Sequence, residues 1–245
     1  MSRRARLLGY ARWQAFDFFV ERAAAIALIL GLFLYLASIA ISHSGRNSGD
    51  GPSHGMLLAL GPMLMKNMLE PTWIMIGLIA ANGISANDRT TGRFRFLFSK
   101  PLRADALYAQ AFVVNTTLAT ACLLAAVLVL GTWTIAPAAF MHDALLISAS
   151  GVVGVSGVCF LFSAVWRFDW LATFGLWAAV AILAVKFPDA RWLRFLPPMN
   201  VVADQIDNLG AHRAVETWPL LSFVLFGLLC FAAGLVILRR RPLST

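Results

Sequence analysis

Between Ala23 and Ser42 the chain runs for 20 residues without one charged side chain. A helix of about 20 residues, rising 1.5 Å per residue, crosses the roughly 30 Å of a bilayer's hydrocarbon core. Such a run has few options in lipid, because every backbone N–H and C=O must be satisfied within the segment, and a helix does that. Comparable runs recur at Leu107–Leu130, Ala144–Trp166, Trp170–Val185 and Trp218–Leu238. Overall 60% of the residues are hydrophobic and 13% charged, against about 45–50% and about 25% in a soluble domain. This excludes a soluble globule and also a disordered chain, which would be polar. Barrel strands would alternate over about 10 residues instead of running unbroken. The expected fold is therefore all-α, a polytopic membrane protein whose residues 1–245 form a single membrane domain.

A further span is less clean. His43 to Ser53 is rich in Ser, Gly and Asn and reads as a loop. Met56 to Met65 is apolar, Lys66, Asn67, Glu70 and Pro71 interrupt, and Thr72 to Ala86 is apolar again. One helix of about 30 residues or two pieces both fit. The favoured expectation is a span from near Lys66 to Ala86 preceded by a short interfacial helix. Lys66 and Glu70, four apart, could then pair on one face, and Pro71 could kink the helix. This makes six spans.

Charge sets their direction. Of the 20 Lys and Arg, 14 fall before span one, between spans two and three, after span four and after span six; the alternate links hold 6. Lys and Arg concentrate in cytoplasmic segments, so both termini are expected in the cytoplasm of a cell inner (plasma) membrane. That rule also accounts for the net charge of +8 without nucleic acid. Residues 186–217 form a long extracytoplasmic connection. Residues 1–22, with Arg3, Arg4, Arg6, Arg12 and Arg22 around Leu8, Ala11, Ala15, Phe18 and Phe19, read as an amphipathic helix in the interface. A signal peptide is rejected, because Asp17 and Glu21 interrupt the basic region and no small-residue cleavage site follows. Trp73, Trp133, Trp170 and Trp218 near span ends read as interface anchors.

The chemistry is mostly notable for what is missing. No Gly-Lys pair exists for a phosphate-binding loop, no H-E-x-x-H zinc motif is present, and Cys122, Cys159 and Cys230 have no metal-ligand spacing. Neither enzyme activity nor a cofactor is expected. Gly154-Val155-Ser156-Gly157 looks like the G-x-S-G of rhomboid proteases, but serine needs a base and span six holds no histidine. The better reading is a small-residue strip, Ser150, Gly151, Gly154 and Gly157, for close helix packing. Spans one, three, four, five and six have no interior charge, which argues against proton-coupled transport. Asn82, Asn115, Thr116, Ser148 and Glu70 are candidates for a substrate path, although hydrogen bonding to a neighbouring helix is the favoured reading of the milder polar groups, since Ser and Thr are common in spans. Mild polarity of this kind leans towards lipid-like, apolar or amphipathic cargo.

The link between spans two and three, residues 87–103, is the informative segment. Phe94, Phe96, Leu97 and Phe98 crowd a five-residue window among Arg93, Arg95 and Lys100. So much bulk needs the lipid interface or a protein partner. With Asp88-Arg89, Gly92, Leu97, Ser99-Lys100-Pro101 and Arg103, this segment resembles the coupling helix of the ABC-2 type transporter permease family. Thr90 departs from that pattern, where Glu is frequent. The family's amphipathic elbow helix, six spans, long outer connection and terminal basic cluster resemble residues 1–22, the six expected spans, residues 186–217 and Arg239-Arg240-Arg241. Leu196-Pro197-Pro198-Met199-Asn200 looks like the start of its outer re-entrant helices.

The resemblance implies a permease subunit of an ABC exporter. Two permease copies, or this chain and a paralogue, would form the path in membrane lipid. A separate ATP-hydrolysing subunit would dock on Asp88, Arg89, Gly92, Arg93, Phe94, Arg95, Phe96, Leu97, Phe98, Ser99, Lys100 and Pro101. The alternatives are an accessory or structural six-span subunit of another membrane complex, including a cofactor-assembly machine, or a channel or secondary transporter.

Overall fold

The computed structural model describes residues 3–46, 54–84, 104–166, 168–187, 199–211 and 213–240. The expected docking segment, Asp88 through Pro101, lies outside the described residues. The described residues form eight helices: α1 (Arg3–Glu21), α2 (Ala23–Arg46), α3 (His54–Ala81), α4 (Ala104–Trp133), α5 (Ala138–Val165), α6 (Asp169–Lys186), α7 (Met199–Gly210) and α8 (Thr217–Arg240). Five of them, α2, α4, α5, α6 and α8, are long and apolar enough to cross a membrane. The described residues are thus all-helical, and the chain is a multi-pass membrane protein. Each apolar run became one helix, because in lipid only continuous intrahelical hydrogen bonding satisfies the backbone.

The uncertain stretch is a single helix. α3 continues for 28 residues through Pro71, correcting the favoured division into an interfacial piece and a span. Proline removes one N–H donor and crowds the carbonyl four residues back, and here the surrounding helices hold α3 together despite that cost. Lys66, Asn67 and Glu70 lower its mean hydropathy, so α3 is not among the five. Lys66 does not pair with Glu70; its Nζ lies 3.0 Å from Asp207 Oδ1 on α7.

Buried small residues organise the bundle. α5 lies at its centre, with Gly151, Gly154 and Gly157 buried along its length. A Cβ on Gly157 would strike the Gly227 carbonyl of α8, and one on Gly227 would sit 2.7 Å from the Gly154 Cα. On the α3 side, a Cβ on Gly77 would come within 2.9 Å of Val155. Ser156 Oγ donates to the Gly77 carbonyl at 3.1 Å. Close approach of this kind replaces the hydrophobic drive that lipid does not supply between helices, and it bears out the small-residue strip as packing. Trp73 is fully buried against Gly151, with its ring centroid 6.1 Å from that of Phe223. It is a core residue, not the interface anchor expected. Trp133, Trp170 and Trp218 are exposed, as such anchors would be.

α1 presents two apolar sides. Gln14 and Phe18 are buried towards the bundle, while Trp13, Phe16, Phe19 and Val20 are exposed. Phe19 therefore leaves the stripe that the spacing gave it with Phe18. Helical hydrogen bonding carries across Arg22, from Arg22 N to the Phe18 carbonyl and from Ile26 N to the Arg22 carbonyl.

Candidate functional site

The contacts between helices sort the bundle into two ends. At one end lie the α1–α2 junction, the end of α3, the start of α4 and the α5–α6 turn. At the other lie the start of α3, the α4–α5 turn, α7 and the start of α8. The stretch that includes Asp88 through Pro101 leaves and re-enters the described chain at the first end, between Ile84 and Ala104. α8 also finishes there: a Cβ on Gly234 would lie 2.9 Å from Phe160, late in α5, and Arg239 and Arg240 close its last turn. With Arg22 beside them, this is the basic end.

Three side chains tie its elements together. Asp169, the first residue of α6, is fully buried. Its Oδ2 accepts from Gly83 N at 2.7 Å and its Oδ1 from Trp170 N at 2.8 Å. A carboxylate at a helix N-terminus meets orphan N–H groups and the positive end of the helix dipole. Here one oxygen serves its own helix and the other reaches 86 residues back. Gly83 has φ of 68°, a left-handed conformation glycine adopts without the Cβ penalty; it turns the chain out of α3. Arg22 works from the other side: its Nε donates to the Ile79 carbonyl at 3.2 Å and its Nη2 to the Asn82 carbonyl at 3.0 Å. These are carbonyls at the C-terminal end of α3, which favours a cation. Gln14 Nε2 donates to the Leu107 carbonyl at 3.2 Å, tying α1 to the first turns of α4.

The candidate path residues do not converge on one point. Asn82 is exposed at the basic end, while Glu70 is partly buried twelve residues earlier, about 18 Å along α3 at 1.5 Å per residue. Asn115 and Thr116 are buried on α4, and Thr116 Oγ1 has no hydrogen-bond partner among the described residues. Ser148 is fully buried and donates to the Ala144 carbonyl of its own helix at 2.6 Å, a structural use. Ser156 is likewise committed to Gly77, and no base stands on α8 to activate it. Among the described residues, no group of three His, Cys, Asp or Glu side chains could hold a metal ion.

At the opposite end α7 starts directly after Pro197-Pro198 and packs against α3, α5, α6 and α8. Glu216 N donates to Gln205 Oε1 at 2.7 Å, fixing the approach to α8. Asp204 is exposed on α7, yet partial burial of its carboxyl, then the neighbouring Asp207 charge, push its pKa up.

Sequence reasoning missed Asp169, Gly83, Arg22 and Gln14 as a group. A carboxylate opening an apolar run was a local signal for a helix start; its distant partner gave none. Comparison with protein-family models, with curated proteins and with solved structures finds no match for this chain.

Proposed function

We propose that this chain is the membrane-spanning permease subunit of an ABC-2 type transporter, an exporter component that forms its substrate path as a dimer and relies on separate ATPase subunits. In this reading α3 is span two, completing the six, and α1 is the elbow helix. The basic end faces the cytoplasm of the inner membrane with both termini, and residues 87–103 form the coupling segment. Phe94, Phe96, Leu97 and Phe98 fill a groove of the ATPase, while Arg93, Arg95 and Lys100 meet its acidic rim or anionic lipid. The observation that carries the reading is the Asp88–Arg103 motif, on a stretch entering and leaving at the basic end. The lack of a phosphate-binding loop in this chain fits a division of labour in which a partner hydrolyses ATP.

The test is purification in mild detergent from the native host, with mass spectrometry of what accompanies the chain. A stoichiometric subunit with a phosphate-binding Gly-Lys-Ser/Thr loop is expected. Replacing Arg95 and Phe96 together with alanine should abolish its stimulation by the membrane subunit. A complex without any ATPase would sink the permease reading and favour an accessory subunit.

A further inference from the structure

Asp169 combines full burial with a charge and a long-range contact. Burying a carboxylate costs several kcal/mol unless it is hydrogen-bonded or paired. Here the compensation comes from two backbone amides far apart in the chain, Gly83 N in the turn after α3 and Trp170 N in α6. Charge-assisted bonds of this kind are short and about twice as strong as neutral ones. A simple cap would need only the amides of its own helix. The second oxygen instead holds the residue at which the chain turns out of α3, and Gly83 has the backbone angle of 68° that makes this turn. Arg22 grips the same turn from the α1–α2 junction through two carbonyls, of Ile79 and Asn82. The chain's exit from α3 is thus held between an anion on α6 and a cation at the head of α2.

We propose that Asp169 and Arg22 are positioning residues that make the exit of α3 at Gly83, the start of α6 and the α1–α2 junction a single mechanical joint. Displacement of the chain at Gly83 then tilts α6 and α2 rather than dissipating in the turn. Neighbouring contacts reinforce the joint. Thr173 Oγ1 donates to the Asp169 carbonyl at 2.8 Å, and Cys159 Sγ on α5 lies 3.9 Å from the Leu78 carbonyl. Both α2 and α6 are only 17% buried in their most apolar windows, so they can tilt with little loss of packing inside this subunit. The proposal rests on the permease reading for its functional consequence, because there the coupling segment begins just beyond Gly83.

Two variants test it in the full chain. Asp169→Asn keeps the side-chain volume but turns one acceptor into a donor facing an N–H group. Arg22→Lys keeps the charge but cannot reach two carbonyls with the geometry of a guanidinium fork. Hydrogen exchange in lipid nanodiscs should rise at least tenfold at Gly83 and extend into the first turns of α2 and α6, with α5 and α8 unchanged. With the copurified ATPase, stoichiometry should stay at the wild-type level while stimulated ATP hydrolysis falls at least fivefold. A rise confined to Gly83 and Trp170 reduces the contact to a local cap and overturns the proposal. So does a wild-type stimulated rate in both variants, or a loss of ATPase binding equal to the loss of stimulation. If the unmodified chain binds no ATPase, the permease reading has failed, and the exchange pattern alone decides whether the joint exists.

Discussion

At the basic end of the bundle Asp169 is sealed from solvent and accepts two backbone N–H groups, whereas at the other end Lys66 and Asp207 meet with side chains 50% and 64% exposed. Both contacts involve α3, and both join it to a segment far along the chain. They differ in what holds them. The first is short, dry and directed at backbone atoms that cannot rotate away. The second joins two side chains that water can separate, and exposed pairs of this kind contribute about 0–1 kcal/mol. Charge placed against backbone in a dry site makes a joint; charge placed against charge in water makes a loose tether.

The largest expected effect breaks the frame that both ends share. Gly157→Val would drive a branched side chain into the Gly227 carbonyl. Overpacking costs about 1–3 kcal/mol where neighbours can shift, and two backbones in contact cannot. We expect loss of the monodisperse species on size-exclusion chromatography, with Gly157→Ala less severe. Next, Asp169→Leu leaves the buried Gly83 N–H without its acceptor. Removing one partner in this way costs about 1–3 kcal/mol, more for charged groups, and should show as a clear drop in melting temperature. Lys66→Met should lower stability by no more than about 1 kcal/mol. A loss as large as that of Asp169→Leu would erase the contrast between the two ends.

The smallest effect concerns pH. Asp204 has a raised pKa, so the folded state holds its proton more tightly than the unfolded chain does. Its contribution favours folding in acid and is lost as pH climbs from the ordinary carboxylate range through the raised value. Asp204→Asn should flatten this part of the pH dependence, giving a slightly higher melting temperature near neutrality and none in acid. A variant less stable than the parent at neutral pH would contradict that sign.

How far the residues themselves announced this arrangement varies along the chain. Trp218–Leu238 was legible as a helix, and α8 runs Thr217–Arg240, because an unbroken apolar run leaves lipid few alternatives. Residues 56–86 were not, because Lys66 and Pro71 are locally disruptive while what steadies them is remote. Asp207 lies 141 positions beyond Lys66, and Trp73 is enclosed by Gly151 and Phe223 from two other helices. Asp169 is legible in the sequence only as a carboxylate opening an apolar run, since its bond to Gly83 is a product of the assembled bundle. Of the candidate site, the path residues prove scattered, and the docking segment falls outside the described residues.

The contact of Gly154 and Gly157 with Gly227 also limits how α5 and α8 can move. Sliding α8 by one helical turn, about 5.4 Å, would carry Phe223 or Phe231 into the slot that only a hydrogen atom now occupies. Piston-like travel between these helices is therefore blocked in both directions. The seam also continues two turns further along α8, to Gly234, where a Cβ would lie 2.9 Å from Phe160, so α5 and α8 are held at more than one level and travel as one body.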